Sequence, residues 1–222
     1  MIEAWFPNVD WDKMNEATME TLYMTLMAVA MTFVLGILLG LLLFLTSQGH
    51  VWQNKLVNLL VSVVVNVFRS IPFIILIVLL LPFTKFLIDT VRGPNAALPS
   101  LIIGSAPFYA RLVEIGLREV DKGVLEAAKA MGAKTSTVIW KVLLPESMPA
   151  LISGITVTAI ALVGFTAMAG VIGAGGLGNL AYLEGFQRAQ EDVTLMATIL
   201  ILVIVFAIQA VGDVLTRFID KR

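Results

Sequence analysis

Glu126-Ala127-Ala128-Lys129-Ala130-Met131-Gly132, followed after nine residues by Val142-Leu143-Leu144-Pro145, is a polar island between long apolar segments. The chain around it has 222 residues, 59% hydrophobic and 14% charged, with a mean hydropathy of +0.93. Soluble domains are about a quarter charged, so lipid is the main solvent of this protein. The formal net charge of -1 gives no case for a nucleic-acid partner. Cysteine is absent and His50 is the only histidine, which excludes disulfides and thiolate sites and argues against a histidine-based metal centre.

Outward from the island, charge-poor runs locate the spans. Thr21–Gly49 carries no charged residue and is ample for one transmembrane helix of about 20 residues. Leu56–Thr84 is a second run, interrupted by Arg69 and by Pro72. Gly93–Ala110 is a third, short and broken by Pro94, Pro99 and Pro107. Ser147–Leu183 is too long for one helix and ends rich in glycine, so its span is placed at 147–174. Val193–Gly212 is the fifth, closed by Asp213 and Arg217. Backbone in hydrocarbon must satisfy its own hydrogen bonds, and no alternating strand pattern is present. The reading is an all-α membrane protein, one domain over 1–222 with five transmembrane helices. Residues 1–20, with Trp5, Phe6 and Trp11, form an expected interfacial arm before the first span.

Lys and Arg set the orientation. Lys55, six residues between Arg111 and Lys141, and Arg217, Lys221 and Arg222 fall on one side, ten in all. Lys13, Lys85, Arg92 and Arg188, four, fall on the other. The N-terminus is expected outside, and the C-terminus and segment 111–146 in the cytoplasm.

Val124–Lys134 is composed of good helix formers, with Gly132 placed to end the helix in a left-handed cap. Glu126 is expected in the first turn, complementing the helix dipole. Small side chains at Ala127, Ala128 and Ala130 permit close approach to another surface. A second helical run, Ser136–Leu143, is expected to stop at Leu144-Pro145, re-aiming the chain into the next span. Spacing alone leaves open whether this lever is gripped from outside or packs on its own bundle.

The pattern E-A-A, three residues, G, nine residues, an apolar residue, one more, L-P resembles the signature of integral-membrane subunits of ABC importers, with Val142 where Ile is usual. Asn66–Phe73, Gly104–Glu114 and Leu162–Gly170 look like the methionine-uptake permease branch; relatives importing polar amino acids tend to have Arg-Gly-Thr-Pro where this chain has Arg69-Ser70-Ile71-Pro72. The match covers roughly residues 15–222. It implies the type I importer permease fold, in a bacterial inner membrane, and a homodimer. It also implies two ATP-binding subunits that dock on Glu126, Ala127, Ala128, Gly132, Leu144 and Pro145, and an external methionine-binding lipoprotein. ATP and magnesium would belong to the partner, since this chain has no G-x-x-x-x-G-K-[ST] loop.

Other features carry two readings each. Arg69, the one charge deep in an expected span, either lines the translocation pathway or serves as scaffold, capping carbonyls near Pro72 or pairing with Glu114 or Asp213. Phe165, Thr166 and Met168 beside Gly164 and Gly170 either face the pathway, where a soft apolar wall suits a thioether, or are core or lipid-facing residues. Gly173-Ala174-Gly175-Gly176-Leu177-Gly178 fits G-x-G-x-x-G, but a span rather than a strand precedes it. It reads as a hinge or close-packed turn at the outer mouth. His50 reads as a solvated turn residue. An ABC permease for another solute is the nearest alternative. A self-contained secondary transporter is a further rival, disfavoured because no Asp or Glu lies within the charge-free runs.

Overall fold

The computed structural model describes residues 6–220, so Trp5, Lys221 and Arg222 of the readings above lie outside it. Ten helices follow one another among these residues. They are α1 (Trp11–Thr46), α2 (Lys55–Ser70), α3 (Phe73–Leu79), α4 (Leu81–Ile88), α5 (Pro94–Arg118), α6 (Lys122–Ala130), α7 (Thr135–Val138), α8 (Leu144–Val171), α9 (Gly176–Leu180) and α10 (Glu191–Ile219). Wide π-turns at Ile139–Leu143 and Ala181–Phe186 lead on from α7 and α9. No strand occurs among the described residues. The helices α1, α5, the continuous run Thr135–Val171 and α10 are each long and apolar enough to cross a membrane. Together α2 and α3 meet the same measure but bend by 107° at their junction.

Several boundaries differ from the sequence reading. The expected arm is not separate: α1 starts at Trp11, where the Asp10 side chain accepts from the Asp12 and Lys13 amides and caps the helix. The second apolar run is not one rod, because Pro72 has no N–H to give and pushes Ile71 to extended backbone (ψ 122°). Pro99 and Pro107 are inside α5 rather than breaking it, and α5 runs on to Arg118. Its neighbours and the hydrocarbon environment favour helix over any unpaired alternative. Likewise α10 continues through Asp213 and Arg217.

The centre of the bundle is the contact of α1 with α5. A Cβ on Gly36 would overlap the Tyr109 ring, and one on Gly40 would meet Val113 and the Ala110 carbonyl. This Gly36-x-x-x-Gly40 face lets the two backbones approach closely, and the Thr32 and Ser105 hydroxyls bond across it at 2.6 Å. Tyr109 is fully buried. Its ring also reaches Gly154 on α8, and its hydroxyl donates to the Leu151 carbonyl at 3.1 Å. Leu41, Phe44, Val113, Leu117, Leu143 and Leu144 extend this core toward α6. At the other end, α10 packs on α8 and α1 through Val193, Ala197 and Ile204 but leaves most of its apolar surface open, as a helix bathed in lipid does.

Candidate functional site

The island folds as a short helix held on one face only. Asp121 caps α6 by accepting from the Gly123 amide at 2.6 Å. The helix therefore starts two residues before Val124, and Glu126 lies past the first turn, where its expected dipole role does not apply. At the other end Gly132 has φ +78°, its N–H donates to the Lys129 carbonyl at 2.9 Å, and the Ala133 N–H donates to the Ala128 carbonyl at 3.1 Å. That pair of bonds around a left-handed residue closes the helix, and a residue with a Cβ is strained there.

Ala128 is buried and Leu125 packs into the Tyr109 core, which fixes the inner face. The opposite face is bare: Glu126, Ala127 and Ala130 are exposed, Met131 is 81% exposed, and Trp140 on the following π-turn is 66% exposed. Met131 and Trp140 are large apolar groups that sequence reasoning passed over, although both lie within the motif's span. Their signal was a bulky apolar residue among polar neighbours in a segment outside the apolar runs.

Pro145 does not stop the helix before it. The run from Thr135 to Val171 is continuous, and the π-turn at Ile139–Leu143 supplies the slack. There the Leu144 N–H reaches back to the Ile139 carbonyl, and the widened ladder absorbs the donor that Pro145 lacks. Leu144 is buried and Pro145 exposed. The island is thus joined to α8 by a stiff, locally widened helix, and to α5 by the Glu119–Asp121 link. The end of α5 is braced by Glu114, buried and paired with Arg111 and with Arg118 at 2.8 Å. Under α6 lies a cavity of about 340 Å³ between Phe44, His50, Leu125, Lys129 and Ile139. His50 is no freely solvated turn residue: its ring packs tilted against Phe44, with centroids 4.1 Å apart and planes at 50°. Burial first, then the nearby cations Arg118, Lys129 and Lys122, lower its pKa.

Among the apolar helices the expected pathway residues separate. Arg69 and Phe165 line one cavity of about 80 Å³ with Phe68, Ile71, Phe73, Leu76, Gly104 and Phe108. Arg69 does not pair with Glu114, which its own helix already satisfies, nor with Asp213, which accepts from Gln209 at 2.8 Å. Thr166 is buried and donates to the Val163 carbonyl at 2.7 Å within α8. Met168 is 46% exposed, one helical turn beyond Phe165.

The glycine segment is a tight, packed turn. Gly173, Gly175 and Gly176 have φ of +93°, +85° and +79°, and a Cβ on Gly178 would run into the Ala167 backbone. The Gly176 N–H donates to the Glu20 carboxylate at 2.7 Å and the Leu177 N–H to the Thr21 hydroxyl at 2.9 Å. The amides that a phosphate would need are therefore already occupied by α1.

Residues 32–222 match the family described as the binding-protein-dependent transport system inner membrane component. The chain belongs to this family. It is 70% identical over 222 residues, the whole of both chains, to a methionine import system permease protein of Bacillus subtilis. It is 45% identical over 212 residues, 96% of this chain and 98% of the other, to a probable D-methionine transport system permease protein of Pasteurella multocida. Among solved structures, a chain of the inward-facing MetNI methionine ABC transporter superposes with a TM-score of 0.89 at 42% identity, covering 91% of this chain and 94% of that one. The fold is that of a type I ABC importer permease, and this permease is a transport component rather than an enzyme.

Proposed function

We propose that this permease forms the translocation pathway of an ATP-driven methionine importer, working as a homodimer with two separate ATPase subunits. Its alternating access is driven through α6. The observation that carries this reading is the one-sided anchoring of α6: Leu125 and Ala128 hold it to the bundle while Glu126, Ala127, Met131 and Trp140 stay bare. A cleft on a partner would cover that face and grip the island at Gly132 and at the Leu144-Pro145 junction. The N-terminus faces outside and the C-terminus the cytoplasm, in keeping with the Lys and Arg distribution. A lipoprotein that binds methionine delivers substrate to the outer face, where Gly173, Gly175, Gly176 and Gly178 form a rigid rim against Glu20 and Thr21. Arg69, Phe165, Thr166 and Met168 belong to the pathway segment, Thr166 as a helix-packing residue and the other three toward the passage.

Binding of ATP draws the two partner ATPases together and moves the paired α6 helices with them. The shift required is a two-state balance of a few kcal/mol, within the reach of ATP. Uptake of labelled methionine into proteoliposomes holding permease, ATPase and binding protein tests the reading. Methionine uptake exceeding that of glutamine and histidine supports it; equal uptake of all three overturns the substrate assignment.

A further inference from the structure

The Arg69 side chain, exposed at the end of its helix, makes no hydrogen bond or ion pair among the described residues. A guanidinium in an otherwise apolar segment is costly unless water or a ligand completes it. Its setting is specific. Arg69 closes α2, directly before the 107° bend at Ile71-Pro72, and lines the 80 Å³ cavity with four phenylalanines. Two of them, Phe73 on α3 and Phe165 on α8, stack face to face with centroids 4.5 Å apart and planes 8° apart. The third wall is Gly104 on α5, where an added Cβ would crowd Phe73 and Leu76 at 3.2 Å. One cation and an aromatic, otherwise apolar chamber thus meet at the junction of four helices.

We propose that this chamber is a substrate site within the permease: Arg69 binds the α-carboxylate of the passing amino acid, and the chamber of Phe68, Phe73, Phe108 and Phe165 takes its side chain. This inference rests on the methionine reading of the preceding subsection and adds the residues that contact the substrate. The chemistry fits both ends of the molecule. A guanidinium presents parallel N–H donors to a carboxylate, a charge-assisted and bidentate pairing. A thioether is soft and polarisable and gains from contact with aromatic rings at about 5 Å. The cavity volume matches an unbranched side chain of four heavy atoms, not a whole amino acid, so the charged end remains at the rim beside Arg69. No carboxylate lines the chamber, so the ammonium group faces its open side.

The test is equilibrium binding of labelled L-methionine to the solubilised permease–ATPase assembly without binding protein. Wild type is compared with Arg69→Gln, Arg69→Lys and Phe165→Leu, and methionine with methioninol, which lacks the carboxylate. Saturable binding to wild type, weakened at least tenfold in Arg69→Gln and partly restored in Arg69→Lys, supports the site. Methioninol then binds wild type and Arg69→Gln equally weakly. Phe165→Leu weakens methionine and methioninol by the same factor. Methionine binding unchanged in Arg69→Gln, or methioninol binding wild type as well as methionine does, overturns the site. Co-purification of each variant with the ATPase shows that it is folded. Methionine uptake by wild type in proteoliposomes is scored separately: uptake without binding at Arg69 sinks this site alone, whereas absent uptake sinks the transport reading beneath it.

Discussion

The Glu20 carboxylate on α1 accepts from the Gly176 amide at the start of α9 at 2.7 Å, across 156 residues of sequence. A carboxylate at a helix start satisfies a donor that the helix itself cannot, and complements its dipole. Replacing Glu20 by Ala leaves that partly buried amide unpartnered, at a cost of about 1–3 kcal/mol, while Gln keeps an acceptor and loses less. Thermal unfolding of the solubilised permease will rank the midpoints wild type, then Glu20→Gln, then Glu20→Ala.

The neighbouring glycines divide sharply by what surrounds them. A Cβ on Gly178 meets the Ala167 backbone, whereas one on Gly164 meets nothing within 4 Å. Gly178→Ala will lower the yield of folded protein severalfold and Gly164→Ala will not, as read by size-exclusion recovery. Equal recovery of the two would remove the case for a rigid, packed glycine turn.

Tyr109 ties three helices together, with its ring against Gly36 and Gly154 and its hydroxyl on Leu151. Tyr109→Phe removes one hydrogen bond from a carbonyl that keeps its place in the helix, costing about 0.5–1.5 kcal/mol. Tyr109→Ala empties the centre and costs about 3–5 kcal/mol, the range for large-to-small aromatic changes. Denaturation midpoints will separate the two variants in that order.

The apolar runs made the helical class legible, because hydrocarbon permits little else, and of the five expected spans four are single helices while the remaining run is a pair bent by 107°. The motif with its fixed gaps marked the island, and Gly132 proved to be the left-handed terminator its position implied. Proline was the weak point. Pro99 and Pro107 lie within a helix, Pro145 is absorbed by a π-turn, and Pro72 alone re-aims the chain; only the surrounding packing decides among these outcomes. Gly36 and Gly40 carried a readable small-x-x-x-small signal in the first apolar run. The meeting of Arg69 with Phe165 was not readable, since the 107° bend that creates it is a tertiary fact.

His50 gives the region beneath α6 a pH dependence. Burial and the cations Arg118, Lys129 and Lys122 hold its pKa below the ordinary value, so the unfolded chain binds the proton more readily than the folded one. Its contribution to stability is fully present above about pH 6.5 and declines as pH falls below that toward the folded pKa. His50→Gln will flatten the fall in melting temperature between about pH 6.5 and 5, as measured by unfolding in a pH series.

On the proposed function, the bare face of α6 is where the ATPase holds the permease. Met131 is 81% exposed and contributes nothing to the core, so Met131→Asp changes that face without changing the fold. The direct measurement is the amount of ATPase that co-purifies with tagged permease, read beside the melting temperature of each permease alone. Met131→Asp will lose most of the bound ATPase with its own melting temperature unchanged. Full retention of the ATPase by Met131→Asp would contradict it.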